Sequence, residues 1–137
     1  MNVIITGGTG FIGQKLVEYL EGIRKTKDGP GINISYPETT FTDLTNLEDT
    51  HAYFQSRCHY WSGDIDVVFH LAGVTGNVKS HGLCPVGSFI DNTLMGLNVL
   101  RACYGNKVKK VVSIVASCAY PSEKLVTYEC GSQMEEK

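Results

Sequence analysis

The 137 residues predict an α/β fold: a doubly wound, mostly parallel sheet of about five strands with helices on both faces. Three observations carry that expectation. Short β-branched runs alternate along the chain with segments of helical period, and a glycine-rich turn joins the first such run to the first such helix. The apolar share of 42% and charged share of 19% are those of one ordinary globular domain. Right-handed crossovers between successive strands then make the sheet parallel.

The elements follow in order. Residues 2–6 (Asn-Val-Ile-Ile-Thr) are a β-branched run stopped by Gly7-Gly8, the pattern of a buried strand. From Phe11, the apolar residues Ile12, Leu16, Val17 and Leu20 recur at helical spacing while Gln14, Lys15, Glu18 and Glu21 take the other face, so a helix is expected to about Gly22. Gly29-Pro30-Gly31 breaks the chain, and residues 32–36 alternate as a second strand closed by Pro37. Residues 41–44 read as a third, shorter strand, and Asn46 is placed to cap a helix carrying Leu47, Tyr53 and Phe54 to about Cys58. Residues 66–73 are the clearest buried strand of the middle section. A glycine-containing loop leads to a helix over residues 88–104, and residues 110–115 read as the fifth strand. Periodicity then fades, so residues 1–121 are expected to form the domain and 122–137 an irregular tail.

Composition excludes several classes of function. Twelve Lys and Arg against fourteen Asp and Glu give a formal charge of -2, which supplies no positive field to gather nucleic acid or anionic lipid. No apolar run approaches the roughly 20 residues that span a bilayer. A cytoplasmic protein is expected, with neither a nucleic-acid nor a membrane partner. The five Cys are odd in number and form no C-x-x-C, so they are expected reduced; Cys58-His59 and His81-x-x-Cys84 lack the spacing of a zinc finger, and no metal is expected.

The chemistry is concentrated at residues 7–13, Gly-Gly-Thr-Gly-Phe-Ile-Gly, which satisfy both G-x-G-x-x-G and G-x-x-G-x-x-G directly after a strand and at the start of a helix. The first glycine turns the chain, Gly10 clears space for a pyrophosphate, and Gly13 lets the helix approach the sheet. Free N–H groups at the helix start then favour an anion. No G-K-[ST] follows, so a triphosphate-binding P-loop is excluded. The motif therefore points to a dinucleotide.

Further segments fall in order behind that motif: Asp43-Leu44, V-F-H-L-A-G at 68–73, Asn92 within a helix, and K-K-V-V-S-I-V-A-S-C-A-Y-P at 109–121. Together they resemble the extended short-chain dehydrogenase/reductases, also called NAD-dependent epimerase/dehydratases, and within them the GDP-L-fucose synthases. The resemblance implies a Rossmann-like domain, truncated here, that binds NADP or NAD and serves a nucleotide sugar, with homo- or hetero-oligomers as possible assemblies. It implies that Gly7, Gly10, Phe11, Ile12 and Gly13 hold the pyrophosphate, that Asp43 and Leu44 meet the adenine, and that Leu71, Ala72 and Gly73 back the ribose and nicotinamide. Asn92 joins this cofactor set, and Cys118 falls where an epimerisation acid/base is placed, with Ser117 beside it. For the 2′ position, Tyr36-Pro37-Glu38 supplies an acid and no arginine, whereas the resemblance implies NADPH; with Lys25 or Lys27 folding over the site the expectation leans to NADP.

The family's hydride chemistry needs a tyrosine, a lysine four residues on along the same helical face, and a Ser or Thr toward the substrate oxygen. The position usual for that hydroxyl is Ala116. Tyr120 and Lys124 match Y-x-x-x-K by letters, but they directly follow the fifth strand instead of standing on the next long helix, and Pro121 holds Tyr120 extended. The expectation is a cofactor-binding half that is not catalytic alone; the alternative is a non-catalytic binding or regulatory partner of a full-length homologue. His70, inside a strand, is expected to be a packed, hydrogen-bonded core residue.

Overall fold

Val3, Ile4 and Ile5 are all fully buried, as a strand covered on both faces requires, and they form the heart of β1 (Asn2–Thr6). A computed structural model describes residues 1–26, 31–75 and 85–115 of the chain. After β1 come α1 (Phe11–Arg24), β2 (Asn33–Ser35), α2 (Leu47–Trp61), β3 (Val67–His70), α3 (Pro85–Gly105) and β4 (Lys110–Ser113). The four strands lie in the order β2-β1-β3-β4, and every pairing is parallel. Ile4 stands opposite Ser35 on one side and Val68 on the other, so β1 is central and its carboxyl end is flanked by those of β2 and β3.

Side-chain alternation divides the core into two layers. Val3 and Ile5 pack with Leu20 of α1 and Ile32 on one face, joined by Leu16, Val17 and Phe69. Ile4 and Val68 pack on the other with Phe54 of α2 and Met95, Val99 and Ala102 of α3. The doubly wound arrangement is thus present, and α1 alone among the described helices covers its face.

Residues 41–44 are not a strand. The N–H groups of Phe41 and Thr42 both donate to the Glu38 carbonyl (3.0 Å each), which closes a turn, so the described sheet has four strands instead of about five. Thr42 and Leu44 are buried while Phe41 is 82% exposed. That alternation has the period of a strand, yet β2 pairs with β1 and the segment joins no ladder. Asn46 caps α2 as expected, its Oδ1 accepting from the N–H groups of Glu48 (2.8 Å) and Asp49 (3.2 Å), and α2 runs three residues past Cys58 until Ser62 turns left-handed at φ 50°. Helix α3 begins at Pro85, a residue suited to a first helical turn.

Candidate functional site

The glycine turn is built by contacts that only glycine permits. Gly7 has φ +74°, a left-handed conformation, and a Cβ there would stand 2.7 Å from the Ala72 nitrogen. A Cβ on Gly13 would run into the Gly7 carbonyl, so α1 can lie against the turn only without one. The Gly10 N–H donates to that same carbonyl (2.9 Å), and the Gln14 side-chain amide donates to the Thr9 carbonyl (2.8 Å), which holds the turn shut from outside. Gly10 is the helix cap, and the first helical bond runs from the Gln14 N–H to the Gly10 carbonyl (2.9 Å). The N–H groups of Phe11, Ile12 and Gly13 precede it and are donors the helix cannot satisfy itself. The first turn carries no acidic residue to compete for them.

These donors open onto a cavity of about 550 Å³ at the carboxyl ends of β1, β2 and β3, within the range of small-molecule sites. Its β2 side is formed by Pro37, Thr39, Thr42, Asp43 and Leu44, its β3 side by residues 71–75. Among the described residues, Asp43 is the one ionisable group in this lining. Its Oδ1 accepts from the Thr45 hydroxyl (2.7 Å) and N–H (2.8 Å), which holds the carboxyl below its ordinary range and keeps it charged at neutral pH. Leu44 is buried, and its carbonyl accepts from Asn98 (3.0 Å), anchoring this wall to α3.

Asn92 stands behind the opposite wall and does not line the cavity. Its side chain accepts from the Val74 N–H (2.7 Å) and donates to the Val74 carbonyl (3.0 Å), a two-bond clamp from α3 on the loop after β3. Beneath that loop, His70 Nδ1 meets the Thr6 hydroxyl at 2.7 Å, and the same hydroxyl oxygen accepts from the Ala72 N–H (3.4 Å). Burial pushes His70 below the usual imidazole range, so the ring is neutral, hydrogen-bonded and half-buried, as expected for a structural histidine.

The geometry fits a family. A model of the NAD dependent epimerase/dehydratase family matches residues 3–134. The chain belongs to that family. Among relatives, it is 29% identical over 120 residues to a GDP-L-fucose synthase of Azorhizobium caulinodans, covering 88% of this chain and 34% of the relative. It is 28% identical over 123 residues to a GDP-L-colitose synthase of Yersinia pseudotuberculosis, covering 90% and 36%. A crystal structure of a GDP-L-fucose synthetase from Naegleria fowleri bound to NADP superposes with a TM-score of 0.63 at 28% identity, over 88% of this chain and 32% of that one. The chain spans about a third of the length of the curated relatives it matches.

Of the family positions read from the sequence, the structure brings Gly7, Gly10, Phe11, Ile12, Gly13, Asp43, Leu44, Leu71, Ala72 and Gly73 to one cavity, and places Asn92 as a clamp on its rim. Lys25 pairs with Glu21 at the end of α1 and does not reach the cavity, and Lys27, Ala116, Ser117, Cys118, Tyr120, Lys124 and the tail at 122–137 lie outside the described residues. Sequence reasoning missed Thr9, Pro37, Thr39, Thr42, Val74, Thr75 and Met95 as lining. The signal for most of them was available: they follow the carboxyl ends of strands, where open α/β sheets bind ligands. No helix among the described residues is long and apolar enough to cross a membrane.

Proposed function

We propose that this chain binds a nicotinamide dinucleotide across the cavity, as the cofactor portion of a nucleotide-sugar epimerase or reductase similar to the GDP-L-fucose synthases. The observation that carries the reading is the turn itself, whose glycines leave the N–H groups at the start of α1 facing the cavity. A Cβ on Gly10 would meet only the Gly7 carbonyl oxygen, at 3.2 Å, so the floor is open where a pyrophosphate would lie. The family match and the NADP-bound structure of the Naegleria relative support the same ligand.

In this arrangement the start of α1 binds the pyrophosphate, Asp43 accepts from the adenine amino group, and the loop held by Asn92 backs the nicotinamide. When bound, the dinucleotide supplies hydride transfer. The residues of this chain bind and orient it, and the β3 loop covers one face from water. Cys118, with Ser117 beside it, is proposed to serve proton transfer at the sugar once a sugar-holding region is joined to the cofactor portion. Ala116 favours a second reading, a cytoplasmic binding partner of a full-length homologue, because alanine cannot donate to a substrate oxygen. Calorimetric titration of the folded chain with NAD and NADP tests the dinucleotide reading; a folded chain that binds neither refutes it.

A further inference from the structure

Asn98 is 3% exposed, one residue before the fully buried Val99 on α3. A buried amide must place its N–H groups, and this one gives both to a single short segment. Its Nδ2 donates to the Leu44 carbonyl (3.0 Å) and to the Thr45 carbonyl (2.9 Å), so two successive peptide groups of an irregular stretch are held from a helix. That stretch is the cleft wall that carries Asp43.

The wall's own bonds fix its shape and leave its place to be fixed from outside. The Asp43 carbonyl accepts from the Asn46 N–H (3.0 Å), and Asp43 Oδ1 accepts from both the Thr45 hydroxyl (2.7 Å) and the Thr45 N–H (2.8 Å), so residues 43–46 turn as one unit. Behind it, the Leu44 side chain is buried with Phe54 and Met95 and supplies an apolar anchor. A polar tie from α2 is the weaker one: the Thr50 hydroxyl has one proton, and it stands 2.7 Å from the Asn46 carbonyl at its own helix cap against 3.3 Å from that of Leu44. Asn98 is therefore the firm polar tie on Leu44 and Thr45. Met95, about one turn earlier on α3, lines the same cavity, so the helix that supports the wall also bounds the space that Asp43 faces.

We propose that Asn98 is a positioning residue for base recognition: by holding the Leu44 and Thr45 carbonyls it sets Asp43 where the carboxylate accepts from a 6-amino purine and rejects a 6-oxo purine. Thr45 supplies two donors to Oδ1, so Oδ2 is the oxygen offered to the base. An ionised carboxylate accepts hydrogen bonds and cannot donate one. The adenine amino group donates to it, whereas the 6-oxo group of hypoxanthine presents a lone pair. The inference rests on the dinucleotide reading above, with Asp43 as its adenine contact.

The test is calorimetric titration of the folded 137-residue chain with NAD and with nicotinamide hypoxanthine dinucleotide, repeated for Asn98→Ala, Asp43→Ala and the double variant. The wild-type chain is expected to prefer NAD by roughly tenfold or more, the yield of one charge-assisted bond. Asn98→Ala should lower that ratio by about threefold or more, and should leave it unchanged once Asp43 is alanine. An asparagine that serves stability alone weakens both ligands alike; an unchanged ratio in Asn98→Ala therefore overturns the proposal and leaves the dinucleotide reading standing, and so does an effect on the ratio that persists without Asp43. Should Asn98→Ala fail to fold, the wild-type chain carries the test: its Asn98 side-chain amide resonances should move further on saturation with NAD than with the hypoxanthine dinucleotide, and equal movement overturns the proposal. A wild-type chain that binds both ligands equally overturns Asp43 as the adenine contact and the role of Asn98 with it, while a folded chain that binds neither overturns the dinucleotide reading itself.

Discussion

Gly10→Val separates the binding role of the turn from its structural role, because the geometry assigns the two different magnitudes. Gly10 has φ −77° and ψ 173°, an extended conformation that valine adopts without strain. Its added Cβ meets a single neighbour, the Gly7 carbonyl oxygen at 3.2 Å, which must give by a few tenths of an ångström. Replacing a glycine cap by a β-branched residue costs about 1 kcal/mol of stability, a fall of about 4 °C in melting temperature for a domain of this size. The two methyl groups then stand where the pyrophosphate would approach Phe11, Ile12 and Gly13. Losing two charge-assisted hydrogen bonds at roughly 1.5–3 kcal/mol each removes about 3–6 kcal/mol of binding, or roughly 10²- to 10⁴-fold in affinity. Melting curves and dinucleotide titrations on the same preparations read both quantities. A variant that binds as tightly as the wild-type chain refutes the placement of the pyrophosphate, and so does one whose lost affinity merely follows a large loss of fold.

Three further outcomes follow from the same site. Asn92→Ala removes both bonds to Val74, worth about 1–2 kcal/mol, and should speed hydrogen exchange at the Val74 amide roughly 5- to 30-fold while leaving the β1 amides unchanged; equal Val74 exchange would show the clamp to be idle. His70 has a folded pKa below its ordinary 6.5, so the unfolded chain takes up its proton first as pH falls. Its contribution is therefore complete above about pH 6.5 and is lost progressively below it, which should lower the urea midpoint toward about pH 5 in the wild-type chain and less in His70→Gln; parallel profiles would contradict this. These 137 residues, with NADPH and GDP-4-keto-6-deoxymannose, should show no enzymatic loss of NADPH absorbance, and Ala116→Ser should not change that, because general acid/base groups acting as a unit lose most of their effect when any is missing. Robust oxidation abolished by Tyr120→Phe or Lys124→Ala would show that this pair is catalytic.

The strand–turn–helix unit was legible because each of its parts has a local cause. The run of β-branched residues before Gly7, the glycines, and the apolar stripe of Leu16, Val17 and Leu20 need no distant partner to be interpreted. The cap at Asn46 was legible for the same reason. Residues 41–44 were misread because burial of Thr42 and Leu44 produces a strand-like alternation even where the backbone bonds close a local turn on Glu38. Among the described strands, β2 keeps an open edge on the side away from β1, and whether a later segment pairs with that edge is not local information. The cavity shows the same division. Its glycines stood out by type and spacing and Asp43 by resemblance, whereas Met95 enters from α3 and the threonines from loops, so their shared wall exists only after the sheet has been assembled. Asn92 was flagged by resemblance, but its part, a clamp on the Val74 backbone, could be read only from its two bonds.

The unequal cover of the sheet has a consequence for how long the cleft persists. Among the described residues, α1 is the whole cover of its face and contributes one fully packed apolar side chain, Leu20, to a layer that otherwise rests on Val3, Ile5 and Ile32. The opposite layer is held by two helices and by Phe54, Ile65, Val68, Met95 and Val99. On these contacts the thinner layer is expected to open before the other, and it carries the amino-terminal end of α1. The far wall of the cleft is tied by Leu44 and Asn92 into the thicker layer. A ligand spanning both walls would fasten the weak layer to the strong one, so occupancy would act as a cross-brace that slows excursions of α1 and protects the first third of the chain from proteases.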